Sequence, residues 1–248
     1  MSDRQEYALR LADDALILSH RLAEWSSNAP DLEEDIALTN IGLDLLGQAR
    51  ELLTYAGELE DAGRDEDDLA YLRTEHEFTC CHLVEQPNGD FGTTMARQLY
   101  FSTYQLALYE QLTLSTDDRF AAIAAKAVKE VLYHRDHATG WVIRLGDGTD
   151  LSHGRMQRGL DQMWRFCGEL FEPDEVTGRL AAGIGVDPQR LLPAWNSHID
   201  AVLSEATLSR PSGTWRPGTG RSGVHSEHLG YLLAEMQYLH RLHPGASW

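Results

Sequence analysis

Apolar residues recur along most of the chain with the three-and-four spacing of an amphipathic helix. Leu11, Ala15, Leu18, Leu22 and Trp25 form one stripe, which predicts a first helix ending near the stretch "SSNAP" at 26–30. Asp31 follows as an N-cap with Glu34 three residues on, and Leu38, Leu45, Ala49, Leu52 and Ala56 carry a second helix to about Leu59. Beyond the polar connection "EDAGRDEDD" (60–68), the run from Leu69 to about Val84 predicts a shorter helix closed by "EQPNGD". A third long helix is expected from about Phe91 to Thr113. It is apolar on most of its circumference (Met95, Leu99, Phe101, Tyr104, Leu106, Leu108, Leu112), which makes it a central element.

The fourth long helix opens at "STDD" and holds Phe120, Ala124, Ala127, Val131, His134, Ala138, Trp141 and Leu145 on one stripe before "GDGTD" stops it. Shorter helical patterns follow at about 153–170, 173–182 and 188–209, the last opened by Asp187 as cap and Pro188 in the first turn. A Gly/Pro/Arg-rich loop (210–223) then leads to a final helix from about Val224 to Leu242. No stretch alternates with period two, so the chain is expected to be all-α. The pattern gives an antiparallel four-helix bundle core with additional C-terminal helices, in a single domain over 1–248.

Composition narrows the setting. With 248 residues, 42% of them hydrophobic, the chain can bury a sizeable core. It has no apolar run near the ~20 residues that cross a bilayer, and its start lacks the apolar centre of a signal peptide, so no membrane association and a cytoplasmic location are expected. Three cysteines, two of them the neighbours Cys80 and Cys81, make no disulfide framework and suit a reducing compartment. A net charge of −18 excludes binding to nucleic acid through phosphate neutralisation. It favours solubility, or a basic protein surface as partner.

The stretch "KEVLYHRDH" (129–137) raises the question of chemistry. Four-helix bundles hold di-iron centres with a Glu from each of two helices and Glu-x-x-His from each of the other two. None of the 19 glutamates here has a histidine three residues on; the aspartate that does, Asp150 with His153, is expected in a loop. Glu130 and His134 stand at i and i+4 and still share a helix face. Folding the second helix back on the first would bring Asp44 and Gln48 to the level of Asp13 and Asp14. Asp44 has Gly47 and Gln48 where an imidazole would be wanted. About six ligands are needed and roughly three are present. The expected arrangement is a hydrogen-bonded polar cluster of Asp13, Asp44, Gln48, Glu130 and His134, with no catalytic residue and no metal. The alternative is an independent di-iron oxygenase with an atypical ligand set.

Other motifs carry less. "HSEH" (225–228) places His225 and His228 around Glu227 at the start of the last helix, but no third zinc ligand is evident and capping or partner contact is expected. His240 and His243 close that helix, where cationic groups suit the dipole. There is no G-x-S-x-G, no phosphate loop, and the paired cysteines sit in an apolar helical pattern that suggests inert packing.

Longer blocks are more specific. "LTNIGLDLLGQAR" (38–50), "LVEQPNGDF" (83–91), "KAVKEVLYHRDHATGW" (126–141), "RLGDGTD" (144–150), "WRFCGELF" (164–171) and "HSEHLGYLLAEMQYLHR" (225–241) resemble the PaaC family, structural subunits of the bacterial phenylacetyl-CoA epoxidase. The resemblance covers essentially the whole chain. It implies a ferritin-like fold that has lost its di-iron ligands, and a non-catalytic role in aerobic phenylacetate degradation. The di-iron cofactor would lie in the partner subunit PaaA, with none bound by this chain. PaaB would join the assembly, and the reductase PaaE would deliver electrons from NADPH. It also implies contact with the CoA portion of phenylacetyl-CoA from Glu77, Phe78, Thr79 and Cys80 and from Gly178, Arg179 and Leu180. Of these, Arg179 is chemically suited to a phosphate.

Overall fold

The computed structural model describes residues 1–60 and 62–246; Asp61 of the polar connection, Ser247 and Trp248 lie outside them. The chain divides into two compact units, one formed by Met1–Pro87 with the chain from Thr219 onward, the other by Asn88–Gly218. No described residue lies in a strand, as the all-α, ferritin-like helical expectation requires. Among the described residues no helix is long and apolar enough to cross a membrane.

In the first unit α1 (Asp3–Ala23) begins at Ser2, whose hydroxyl accepts the Gln5 N–H at 3.2 Å. Trp25, counted on its stripe, falls just past the end. The N-cap Asp31 opens α2 (Leu32–Glu58), accepting the Glu34 N–H at 2.9 Å. Such a cap is worth about 1 kcal/mol. The short connection makes the pair antiparallel, and Ser19 Oγ donating to the Gly42 carbonyl at 2.7 Å fixes its register. Ala8, Ala12, Ala15, Ile17, Leu38, Ile41, Leu45 and Leu52 are buried along the seam.

The helix expected over 69–84 does not form as one piece. The chain instead makes α3 (Glu66–Tyr71), a 3-10 turn (Glu75–Glu77), an extended stretch and α4 (His82–Glu85). The reason lies on α1. The Thr79 and Cys81 amides, which a continuous helix would use in its own ladder, each donate at 2.8 Å to the buried carboxylates of Asp13 and Asp14. A charge-assisted bond to a buried carboxylate outcompetes a helix made for its apolar pattern alone. The adjacent cysteines consequently sit at the extended segment and not on a helix.

The second unit pairs α5 (Phe91–Leu112) with α6 (Asp118–Gly146), capped by Asp90 and Asp117. As expected, α5 is buried on nearly every side. The pattern over 153–170 starts earlier, as α7 (Asp150–Trp164), and tightens into a 3-10 turn at Gly168–Phe171. Asp150 and His153 are therefore in a helical first turn, not a loop, with His153 Nδ1 2.7 Å from the Gly146 carbonyl. Gly159 lets α7 approach α5 closely, since a Cβ there would lie 2.8 Å from Thr93 Cα. The pattern at 173–182 is α8 (Glu175–Leu180). That at 188–209 splits into a 3-10 turn (Pro188–Leu191) and α9 (Leu192–Glu205).

The last helix, α10 (Glu227–Leu242), belongs to the first unit. Its Gln237 amide donates to the Ala70 and Arg73 carbonyls at 3.1 and 3.0 Å, and Arg241 donates to those of Tyr71 and Arg73 at 3.0 Å. These bonds satisfy the carbonyls left open where α3 ends. Residues 224–226, expected inside the helix, instead belong to the loop before it.

Candidate functional site

Two acids on successive positions of an otherwise apolar helix face organise the first unit. Asp13, wholly buried, accepts from Arg73 through both guanidinium nitrogens, one at 3.0 Å, and from the Thr79 amide and hydroxyl at 2.8 and 3.1 Å. Asp14 accepts a bidentate pair from Arg221 at 2.9 and 2.7 Å, plus the Cys81 amide. Arg221 reaches on to the Thr79 carbonyl at 2.9 Å. Paired in this way the buried charges are compensated, as burial requires.

Asp13 thus takes no part in a cluster with Asp44 and Gln48. A guanidinium from the irregular segment supplies the positive charge instead. Gln48 is buried on α2 and Asp44 half-buried. Glu130 and His134 lie in the second unit on α6, His134 buried and Glu130 half-buried one turn before it.

A second group gathers where α4 meets the loop before α10. His225 Nε2 is 2.9 Å from the Phe78 carbonyl, and its Nδ1 is 3.3 Å from Glu85 Oε2 and 3.9 Å from Cys80 Sγ. The other Glu85 oxygen accepts the Ser226 amide at 3.0 Å, and the Arg21 guanidinium donates to the Glu85 backbone carbonyl. Burial pushes the Cys80 thiol well above its ordinary pKa, reinforced by Glu85, Asp13 and Asp14. For His225, burial opposes protonation, but Glu85 and the Phe78 carbonyl outweigh it and the pKa is raised. Gly223, at φ +75°, closes the loop against the His76 backbone, where a Cβ would collide with the carbonyl oxygen.

Of the residues tied to CoA by resemblance, Phe78 and Cys80 are fully buried and offer a ligand no side-chain surface. Phe78 lies under the Arg73 guanidinium at 4.1 Å. Glu77 is exposed and accepts from the Thr74 amide and hydroxyl at 2.7 and 2.8 Å, bonds that hold its carboxyl below the usual range. Thr79 is half-buried on Asp13. In the second unit Gly178 and Arg179 are exposed on α8, Leu180 is buried, and Arg179 pairs with Glu175 at 3.0 Å.

The outer face of α2 carries a different signal. Leu32, Ile36, Leu43 and Leu46 are 71, 54, 58 and 40% exposed. Their spacing of four, seven and three follows the seam of a coiled coil. Beside it, Ser19, His20, Ala23 and Ser26 with Thr39, Gly42, Leu43 and Leu46 line a half-open apolar groove of about 240 Å³.

Sequence reading missed Arg73, Arg221 and Glu85. The available signal was Asp13 and Asp14, set between Leu11 and Ala15 on the core face, where carboxylates demand cationic or N–H partners.

These features define a helical chain of the ferritin-like kind whose buried acids are partnered by arginine and backbone amides. The chain belongs to the phenylacetic acid catabolic protein family, which matches over residues 2–248. It is similar to the component designated C of the 1,2-phenylacetyl-CoA epoxidase of Escherichia coli (strain K12), at 50% identity over 250 residues that span 100% of both chains.

Proposed function

We propose that this chain is a non-catalytic subunit of a cytoplasmic phenylacetyl-CoA epoxidase, pairing with a catalytic subunit of the PaaA type that holds the di-iron centre. PaaB and the reductase PaaE complete the assembly. The observation that carries this reading is the 50% identity, end to end, with a component of the Escherichia coli epoxidase. Two features support it. Arg73 already compensates the charge of the buried Asp13 carboxylate. The exposed heptad stripe on α2 is a surface that a helix of a related subunit would cover, removing apolar area from water at ~25 cal/mol per Å². Arg179, exposed on α8, is the residue suited to a CoA phosphate.

Co-expression with the catalytic subunit tests the reading. The pair is expected to co-elute on size exclusion and to carry its iron on the catalytic chain. Leu43→Asp, at a position that leaves the core untouched, is expected to abolish co-elution while the chain stays folded. Stoichiometric iron on this chain alone, or separate elution of the wild-type pair, would overturn it.

A further inference from the structure

Cys80, Glu85 and His225 bring a sulfur, a carboxylate oxygen and an imidazole nitrogen within 4.8 Å of one another. The three come from separate pieces of the first unit: the extended stretch after the 3-10 turn, the end of α4, and the loop before α10. A backbone carbonyl can only accept, so the 2.9 Å contact from the Phe78 oxygen places a hydrogen on His225 Nε2. In the neutral ring Nδ1 is then a lone pair, directed at Glu85 Oε2 and Cys80 Sγ. Metal-binding histidines are held in this way, with the far N–H fixed by a carbonyl or carboxylate.

The Glu85 side chain is wholly buried, and its Oε2 stands 3.3 Å from His225 Nδ1 without a well-formed hydrogen bond. With the ring neutral it faces two other electron-pair donors, and a bound ion takes the place of the proton that otherwise links Nδ1 to it. Two of the three ligand spacings are close to those of a bound ion. An ion bound tetrahedrally at ordinary zinc distances holds S and N roughly 3.5 Å apart, and N and O about 3.3 Å apart. The observed separations are 3.9 and 3.3 Å. We infer that Cys80, Glu85 and His225 form a mononuclear site for a zinc-class divalent ion that ties the 78–85 segment to the start of α10.

The donor set selects the ion. A thiolate with an imidazole and one carboxylate suits zinc or cobalt and disfavours magnesium or calcium, which take oxygen. The thiolate and carboxylate together balance the double charge, and binding sends the Cys80 thiol proton to solvent. Three protein donors leave the fourth position for water. The site is distinct from a di-iron centre and does not rest on the epoxidase reading.

Titration of the chelator-stripped full chain with Co²⁺ tests this. One equivalent is expected to bind, giving a thiolate-to-cobalt charge-transfer band in the near ultraviolet with tetrahedral visible bands, and Zn²⁺ is expected to displace it. Cys80→Ser should remove the charge-transfer band and weaken binding by at least about tenfold, since even loss of an outer-shell partner costs that much. His225→Gln should weaken binding likewise, while His243→Gln, at the far end of α10, should leave both readouts unchanged. Circular dichroism establishes that each variant is folded. No stoichiometric cobalt, or a spectrum that Cys80→Ser leaves unchanged, would overturn the assignment.

Discussion

The two units each have to fasten an irregular segment onto a pair of long antiparallel helices, and they differ in what they bury to do it. In the first unit the 72–86 stretch and the 219–226 loop are tied by buried charge: Asp13 to Arg73, Asp14 to Arg221, and Glu85 to the Ser226 amide. In the second, the 210–218 loop is held by an aromatic cluster in which Trp164, Phe171 and Trp195 surround Trp215 at centroid distances of 5.6, 5.9 and 6.5 Å. The polar ties of this loop lie nearer the surface: Trp164 Nε1 to the Gly213 carbonyl at 2.8 Å, the Arg216 amide to the Arg165 carbonyl at 2.8 Å, the Gly218 amide to Glu172 at 3.1 Å, and Arg210 to Asp200 and to Asn196. Aromatic packing tolerates small shifts, because its energy is spread over area. Charge pairs fix orientation but fail when one partner is lost. The unit that positions Cys80, Glu85 and His225 is the one held by buried charge pairs.

The largest expected effect comes from breaking one charge tie. Asp13→Leu strands Arg73 in the interior and should cost about 3–5 kcal/mol in denaturant unfolding. Adding Arg73→Leu should restore more than half of that loss, because an apolar pair carries no desolvation penalty. No restoration would mean that the Thr79 anchor dominates. In the aromatic unit Trp164→Phe and Trp215→Phe remove similar area, but only Trp164 gives up a bond, as the Trp215 indole N–H has no partner among the described residues. Trp164→Phe should therefore be the more destabilising, by about 0.5–1.5 kcal/mol.

The smallest effect is on pH dependence. Burial lowers the His20 pKa, against the opposing pull of Glu24. The unfolded ring then binds its proton more readily, so this contribution is complete above about pH 6.5 and is lost as pH falls through the folded value. His20→Gln should flatten the stability profile on the acid side, as urea titrations across that range would record.

Much of this was legible in the chain itself. The cap at Asp31, the opening of α6 within "STDD" and the stripes of the four long helices fall where the periodicity puts them, because local capping and burial of one face act together there. Two of the failures share one cause, that partners distant in sequence decided the local structure. Leu69–Val84 has a helical pattern, yet Asp13 and Asp14, some 65 residues earlier, take its amides. "HSEH" looked like a helix start without a third ligand, but His225 lies before the helix and meets Cys80 and Glu85, about 140 residues upstream. The exposed seam on α2 escaped notice because Leu32, Ile36, Leu43 and Leu46 alternate with the core stripe of the same helix.

The central claim is that this chain supports chemistry performed on another subunit. Turnover of phenylacetyl-CoA with NADPH and the reductase, measured for this chain alone, for the catalytic subunit alone and for the pair, tests it most directly. The account predicts no product from this chain alone and full activity from the pair, with iron confined to the catalytic subunit. Epoxide formed by this chain in the absence of that subunit would contradict it.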